Sequence, residues 1–352
     1  MAEWDLSNYM ISYFDVHMTF PLLEFLSERE YYDKNLEEDT LNKKLDLLNK
    51  TNMVDFAMDV HKSLYPDKKM PNALMEKKTD VEINFKRLQN EITPVIKIFE
   101  NQEVTRMINQ SLHSKQLLDF LKGHNFQPEM VFACYNFAKF SYECGNYIQA
   151  NEYLFFHNIL AEKSDKNYLS GLWGKLATEI LMQNWDNAMD DLNHLKMIID
   201  DNTFVDENTS GSYMKSQQRC WLLHWSLFVF FNHTNGRDRI IELFLYQEEY
   251  LTVIKATCPW IIRYLAAAVI NNWHRKKVMG DLINVIQDES FTYQDPIINF
   301  VKDLYIMVNF NGAKQRLGDC KILVLNDFFL MNSVNNFMEN GNLMIFERFA
   351  RK

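Results

Sequence analysis

The sequence predicts an all-α fold, a right-handed and tetratricopeptide-like solenoid of stacked helical hairpins, and three observations predict it. Ten Gly and seven Pro in 352 residues fall well below the combined average of roughly 12%, so the chain has few turns to spend. Apolar residues recur at spacings of three and four along most of its length, and no persuasive strand-like alternation appears. The pattern Asn, aromatic, two residues, Ala, three residues, Leu occurs three times, at Asn146–Tyr147–Ala150–Leu154, Asn184–Trp185–Ala188–Leu192 and Asn309–Phe310–Ala313–Leu317. In that pattern the Asn is expected to close a turn in the left-handed region, the aromatic to plug the angle between two helices, and the small Ala to let them approach. The first two copies are offset by 38 residues, the spacing of stacked helical hairpins. The third reads as a later hairpin of a longer array.

The elements follow in order. Leu6, Met10, Phe14 and His17 fall on one helical face, and Pro21 suits the first turn of a second helix carrying Leu22, Leu23, Phe25 and Leu26. Ser27 and Glu30 have the spacing of a capping box for a third helix, which Leu41, Leu45 and Leu48 continue. Asn52 is placed to cap a helix with Val54, Ala57, Met58 and His61 on one face. Pro66 and Pro71 bracket a loop. A long amphipathic segment from Ala73 to Phe99 is expected to turn Val81, Phe85, Leu88 and Ile92 inward, with Pro94 kinking or ending it. One more helix, Met107 to Leu121, precedes a break from Gly123 to Pro128. The expected organisation is an N-terminal helical region over 1–128 and hairpin repeats over 129–200, with the polar stretch Asp200 to Ser212 as the boundary. Beyond it, Met214 to Phe231 is apolar on more than one face and should be buried on several sides. The turn from Asn232 to Asp238 closes it. Short helices interrupted by Pro259 follow, and a terminal helical stretch carries Phe328, Phe329, Phe337, Ile345, Phe346 and Phe349.

The formal net charge of −10 argues against gripping nucleic acid over the whole surface and favours protein partners. The five cysteines, Cys134, Cys144, Cys220, Cys258 and Cys320, are scattered and odd in number, and read as small buried hydrophobes in a reducing compartment. An acid stands near the N-terminus where a signal peptide needs a basic region, and no run of 18 apolar residues exists. A soluble, cytoplasmic protein without a membrane is expected, with nuclear entry left open.

Catalytic chemistry finds no support. Gly171 and Gly174 form the one close glycine pair without a following Lys-Ser or Lys-Thr, so no phosphate loop is present. The acid pairs Asp190–Asp191, Glu248–Glu249 and Asp288–Glu289 are adjacent and therefore diverge on a helix. Cys220 and His224 stand at metal-ligand spacing with His233 nearby, but two ligands do not make a tetrahedral site, and a packed Cys beside a hydrogen-bonded His is the plainer reading. Arg275, Lys276 and Lys277 with Trp273 can contact an RNA backbone, though one basic turn in an acidic chain is more simply exposed helix charge. No catalytic, cofactor-binding or metal-binding residue is assigned, and no cofactor is expected.

Six stretches carry a resemblance: Pro21 to Leu26, Leu47 to Val60, Tyr142 to Tyr147, Leu181 to Asp186, His224 to His233 and Leu243 to Gln247. They resemble the PCI-domain family formed by the e-type subunits of eukaryotic translation initiation factor 3. The resemblance implies a non-catalytic scaffold in which the helical array continues into a PCI module, with its helical half over 216–352. Its implied partners are the other subunits of that factor, the small ribosomal subunit and the scaffold of the messenger-RNA cap complex. The winged helix that the resemblance places after that half, with its strands, is expected to be absent from this chain. Two alternatives share part of this reading: a PCI scaffold of the proteasome lid or the signalosome, and, from another class, a metal-binding protein using Cys220 and His224.

Overall fold

A computed structural model describes residues 4–27, 34–109, 117, 120–201 and 209–351. It is 79% helical, with no strand among the described residues, and two compact units divide it.

The first helix is a single turn, α1 (Ser7–Met10), running through a 3-10 turn to Phe14, whose backbone is extended (φ −97°, ψ 153°). The expected continuous face through His17 is therefore broken. Its apolar members are buried all the same, because the segment up to Phe14 belongs to the unit formed by the later half of the chain. There Trp225 donates to the Tyr13 carbonyl at 2.9 Å and Phe14 packs edge-on to Phe228.

The other unit begins at Asp15 and contains α2 (Thr19–Ser27), α3 (Lys34–Leu48), α4 (Val54–Leu64), α5 (Asn72–Phe99), α6 (Gln102–Asn109), α7 (Pro128–Glu143), α8 (Tyr147–Leu160), α9 (Tyr168–Leu181) and α10 (Trp185–Asp200). Phe20, Leu48, Val54, Ala57, Val60 and Leu74 form one buried cluster. Glu30 of the expected capping box, most of the boundary stretch and the middle of Met107–Leu121 lie outside the described residues. Met53, not Asn52, is the N-cap of α4. Asn52 instead bonds to Glu143 at the end of α7, with its amide on the carbonyl (2.9 Å) and its side chain on the carboxylate (2.8 Å). Pro94 neither ends nor divides α5. The carbonyl that the proline deprives belongs to Asn90, on the exposed face where water can satisfy it, while Leu88, Ile92 and Val95 hold the other face. Phe85, expected inward, is 39% exposed.

The repeat pattern marks three real hairpins, α7–α8, α9–α10 and a third in the other unit. In each, the Ala and the Leu are buried and the Asn is the N-cap of the second helix. The Asn residues are not left-handed: their φ values are −88°, −85° and −98°. The residue before each is, with Gly145 at 81°, Gln183 at 60° and Val308 at 51°. Each Asn amide then reaches back to close the preceding helix, on Ser141 (2.9 Å), Glu179 (2.9 Å) and Asp303 (2.8 Å). One Asn thus serves two helices, as the residue after the left-handed stop and as the cap of the next start. The plugging aromatics Tyr147, Trp185 and Phe310 are half-buried rather than enclosed. Tyr147 spends its hydroxyl on buried His17, at 3.0 Å.

The unit of the later half contains α11 (Thr209–Asn232), α12 (Gly236–Ile240) running into a π turn, α13 (Glu248–Thr257), α14 (Ile262–Asn271), α15 (Lys276–Asp288), α16 (Pro296–Val301) with a second π turn, α17 (Phe310–Leu325) and α18 (Val334–Ala350). Every residue of α11 from Leu222 to Phe230 is buried, as its all-round apolarity predicts. The turn after it depends on Gly236, where a Cβ would stand 1.9 Å from the Phe230 carbonyl oxygen. Pro259 separates α13 from the next helical stretch at an angle of 117°, and no single described helix is long and apolar enough to cross a membrane. α14 is buried from Ile262 to Ile270 and carries Arg263 into the core. Of the terminal aromatics, Phe329 and Phe337 are buried, whereas Phe346 and Phe349 are exposed.

Candidate functional site

The structure brings a third ligand-type side chain to the Cys220–His224 pair of α11. Cys258, where α13 ends, places its sulfur so that one ligand atom from each of the three lies within 4.8 Å of the others, all of them buried. His233 does not join them. The sequence held no periodic signal for this meeting, because Cys258 is brought in by the stop before Pro259 rather than by a helical face.

Geometry fixes the imidazole. His224 Nδ1 lies 2.7 Å from the Cys220 carbonyl oxygen, one turn back, and Nε2 accepts from the Trp260 indole at 3.0 Å. A neutral imidazole has one donor and one acceptor, so Nδ1 carries the proton and neither nitrogen keeps a lone pair for a metal. Tyr13 stacks on the ring at 4.1 Å, nearly parallel. The hydrogen bond from Cys258 lowers the Cys220 thiol to about 6 against the opposing effect of burial, with His224 assisting. The same bond, with burial, pushes Cys258 up. With 2% and 0% of the two cysteines exposed, no substrate reaches the cluster, and the Cys258 sulfur is itself placed 3.8 Å from the Val253 carbonyl oxygen. Of the remaining cysteines, Cys134 and Cys320 are buried and Cys144 is half-buried just past the end of α7; all five are free thiols.

The basic turn opens α15, and two of its three charges are met by acids. Arg275 pairs with Asp238 at 3.1 Å and Lys276 with Glu347 at 3.5 Å, while Trp273 donates to Asn340 at 3.2 Å. The acid pairs diverge as expected from their spacing. Asp191 pairs with Lys175 at 3.2 Å and Asp288 with Lys255 at 2.9 Å, and Glu248 with Glu249 occupies the first turn of α13, where the helix dipole favours them. No two of these six carboxylates are hydrogen-bonded to one another or to a common group.

A network of a different kind surrounds Arg263. Its guanidinium donates to Asp295 (2.8 Å), Asp327 (3.1 Å) and the Trp4 carbonyl (2.9 Å), while Tyr264 and Tyr293 donate to the two carboxylates. Asp295 also caps α16 through the Ile298 amide. Every polar group here is spent within the core, which is the arrangement of a structural clamp.

Comparison with known proteins shows the kinship of the chain. Residues 5–141 match the family described as eIF3 subunit 6 N terminal domain. The chain is 44% identical over 353 residues to the E subunit of eukaryotic translation initiation factor 3 from Bombyx mori, covering 99% of this chain and 78% of that relative. It is equally similar to the E-2 form of that subunit from Drosophila willistoni and to the E subunit from Drosophila virilis, in each case over 100% of this chain and 78% of the relative. The likeness spans both units, and the chain belongs to the family of the E subunit of eukaryotic translation initiation factor 3.

Proposed function

We propose that this chain is a non-catalytic scaffold subunit of translation initiation factor 3, working in the cytoplasm among the other subunits of that factor. The observation that carries this reading is identity of 44% spread over essentially the whole chain. The structure supports it from the side of chemistry: the one cluster of metal-ligand type among the described residues has both imidazole nitrogens hydrogen-bonded and no route for a substrate, which favours packing over catalysis or metal binding. The organisation that goes with this role is an N-terminal helical region over 1–128, hairpin repeats over 129–200 and the helical half of a PCI module over 216–352. The chain then supports assembly of the pre-initiation complex and messenger-RNA recruitment, with the small ribosomal subunit and the cap-complex scaffold as further partners. Purification of a tagged chain from cells, followed by mass spectrometry, tests the reading: subunits of translation initiation factor 3 should dominate, and recovery of proteasome-lid or signalosome subunits in their place would overturn it.

A further inference from the structure

Between α8 and the turn that joins α9 to α10 lies an open groove of about 750 Å³, lined by Ile148, Asn151, Glu152, Phe155, Met182 and Asn184. Ile148 is 75% and Phe155 41% exposed. They stand seven residues apart on one helix, hence on one face and about 10 Å from each other. Bulky apolar side chains grouped in a concavity gain by being covered.

The polar chemistry of the wall is one-sided. The Asn151 amide nitrogen donates to Thr178 at 2.9 Å and that of Asn184 to Glu179 at 2.8 Å. Each asparagine has spent a donor internally, and its side-chain oxygen accepts no cap bond from α10 in the case of Asn184. Glu152, between the two apolar residues, is exposed and is the one charged residue of the lining. No cation lines the groove, so nothing in it suits a phosphate backbone.

We propose that this groove docks an amphipathic helical segment of a partner protein, with two bulky apolar side chains seven residues apart and a lysine or arginine between them. The apolar pair covers Ile148, Phe155 and Met182, and the cation meets Glu152. Spacing supplies the register and the carboxylate supplies the selection. The inference rests on the reading of the chain as a subunit held by protein partners, and it deepens that reading by naming a surface and the chemistry it selects.

The test uses the full chain and a labelled helical model peptide with leucines seven residues apart and lysine at the intervening position, read by fluorescence anisotropy. A second peptide carries glutamate in place of the lysine. The lysine peptide should bind better than the glutamate peptide by about tenfold, and Glu152→Lys should reverse the order. Ile148→Asp should abolish binding of both, with the circular dichroism of each variant unchanged because both positions are exposed. Equal binding of the two peptides, indifference to Glu152→Lys, or no binding overturns the proposal. So does a concentration-dependent dimer that Ile148→Asp dissolves, since the groove would then serve a second copy. Because tagged Ile148→Asp can be purified from cells alongside the wild-type chain, failure of the groove with normal recovery of the other subunits separates this inference from the function on which it rests.

Discussion

Arg263 Nε donates to Asp295 Oδ2 at 2.8 Å with both side chains out of solvent. The pair holds more than itself, because the same guanidinium reaches Asp327 and the carbonyl of Trp4, and so joins three distant parts of the sequence. Arg263→Met leaves two buried carboxylates facing each other without a cation, and should cost about 3–5 kcal/mol in denaturant melts. Replacing Asp295 and Asp327 by Asn in the same variant should recover part of that loss. A single Arg263→Met that unfolds like the wild type would show that the clamp contributes nothing.

The left-handed residue before each repeat Asn gives a paired prediction. Gly145→Ala places a Cβ on a residue at φ 81°, 3.1 Å from Met53 Cε, and should destabilise by about 1–2 kcal/mol. Val308, a β-branched residue at φ 51°, already bears such strain. Val308→Gly should therefore leave stability unchanged or raise it by about 1 kcal/mol, opposite in sign to the usual effect of introducing glycine. Thermal melts of the two variants side by side check both signs.

Burial holds His157 below its ordinary histidine value, against a hydrogen bond to Asn158 that raises it. A depressed value means that the folded state favours the neutral ring. The contribution to stability is then complete above the unfolded value of about 6.5 and is lost as pH falls from there through the folded value. The slope should approach about 1.4 kcal/mol per pH unit for the one proton. Urea melts between pH 7.5 and 5 should show His157→Gln flattening this acid loss, and an unchanged slope would remove His157 as its source.

Trp260→Phe removes the donor to His224 Nε2 and leaves a buried acceptor unpaired, which should cost about 1–3 kcal/mol. Elemental analysis of the purified wild-type chain should find no stoichiometric zinc, because both imidazole nitrogens of His224 are hydrogen-bonded. Zinc that is present in the wild type and lost in Cys220→Ser would reassign the cluster as a metal site.

Much of the architecture was legible because it depends on local signals. The scarcity of Gly and Pro gave the all-helical class, and Asn146, Asn184 and Asn309 located the turns, since one residue type must end one helix and begin another. The direction of the error at those turns has the same origin. Asn is common in the left-handed region, but here the preceding residue takes that conformation, and at Gln183 and Val308 composition gives no hint of it. Pairings that join distant segments were not legible. Cys258 reaches Cys220 and His224 through a proline-imposed bend, and the partners of Arg263 lie 32 and 64 residues further along the chain, where no period links them. Phe85 was placed inward by spacing alone, although a long helix such as α5 need not be covered along its whole length.

Service as a subunit of translation initiation factor 3, and not as an enzyme, can be read from quantitative mass spectrometry of the proteins that co-purify with the tagged chain from growing cells. The other subunits of that factor should appear in near-equal amounts, together with the small ribosomal subunit. Recovery of the chain alone, or with the subunits of a different PCI assembly, would contradict that assignment.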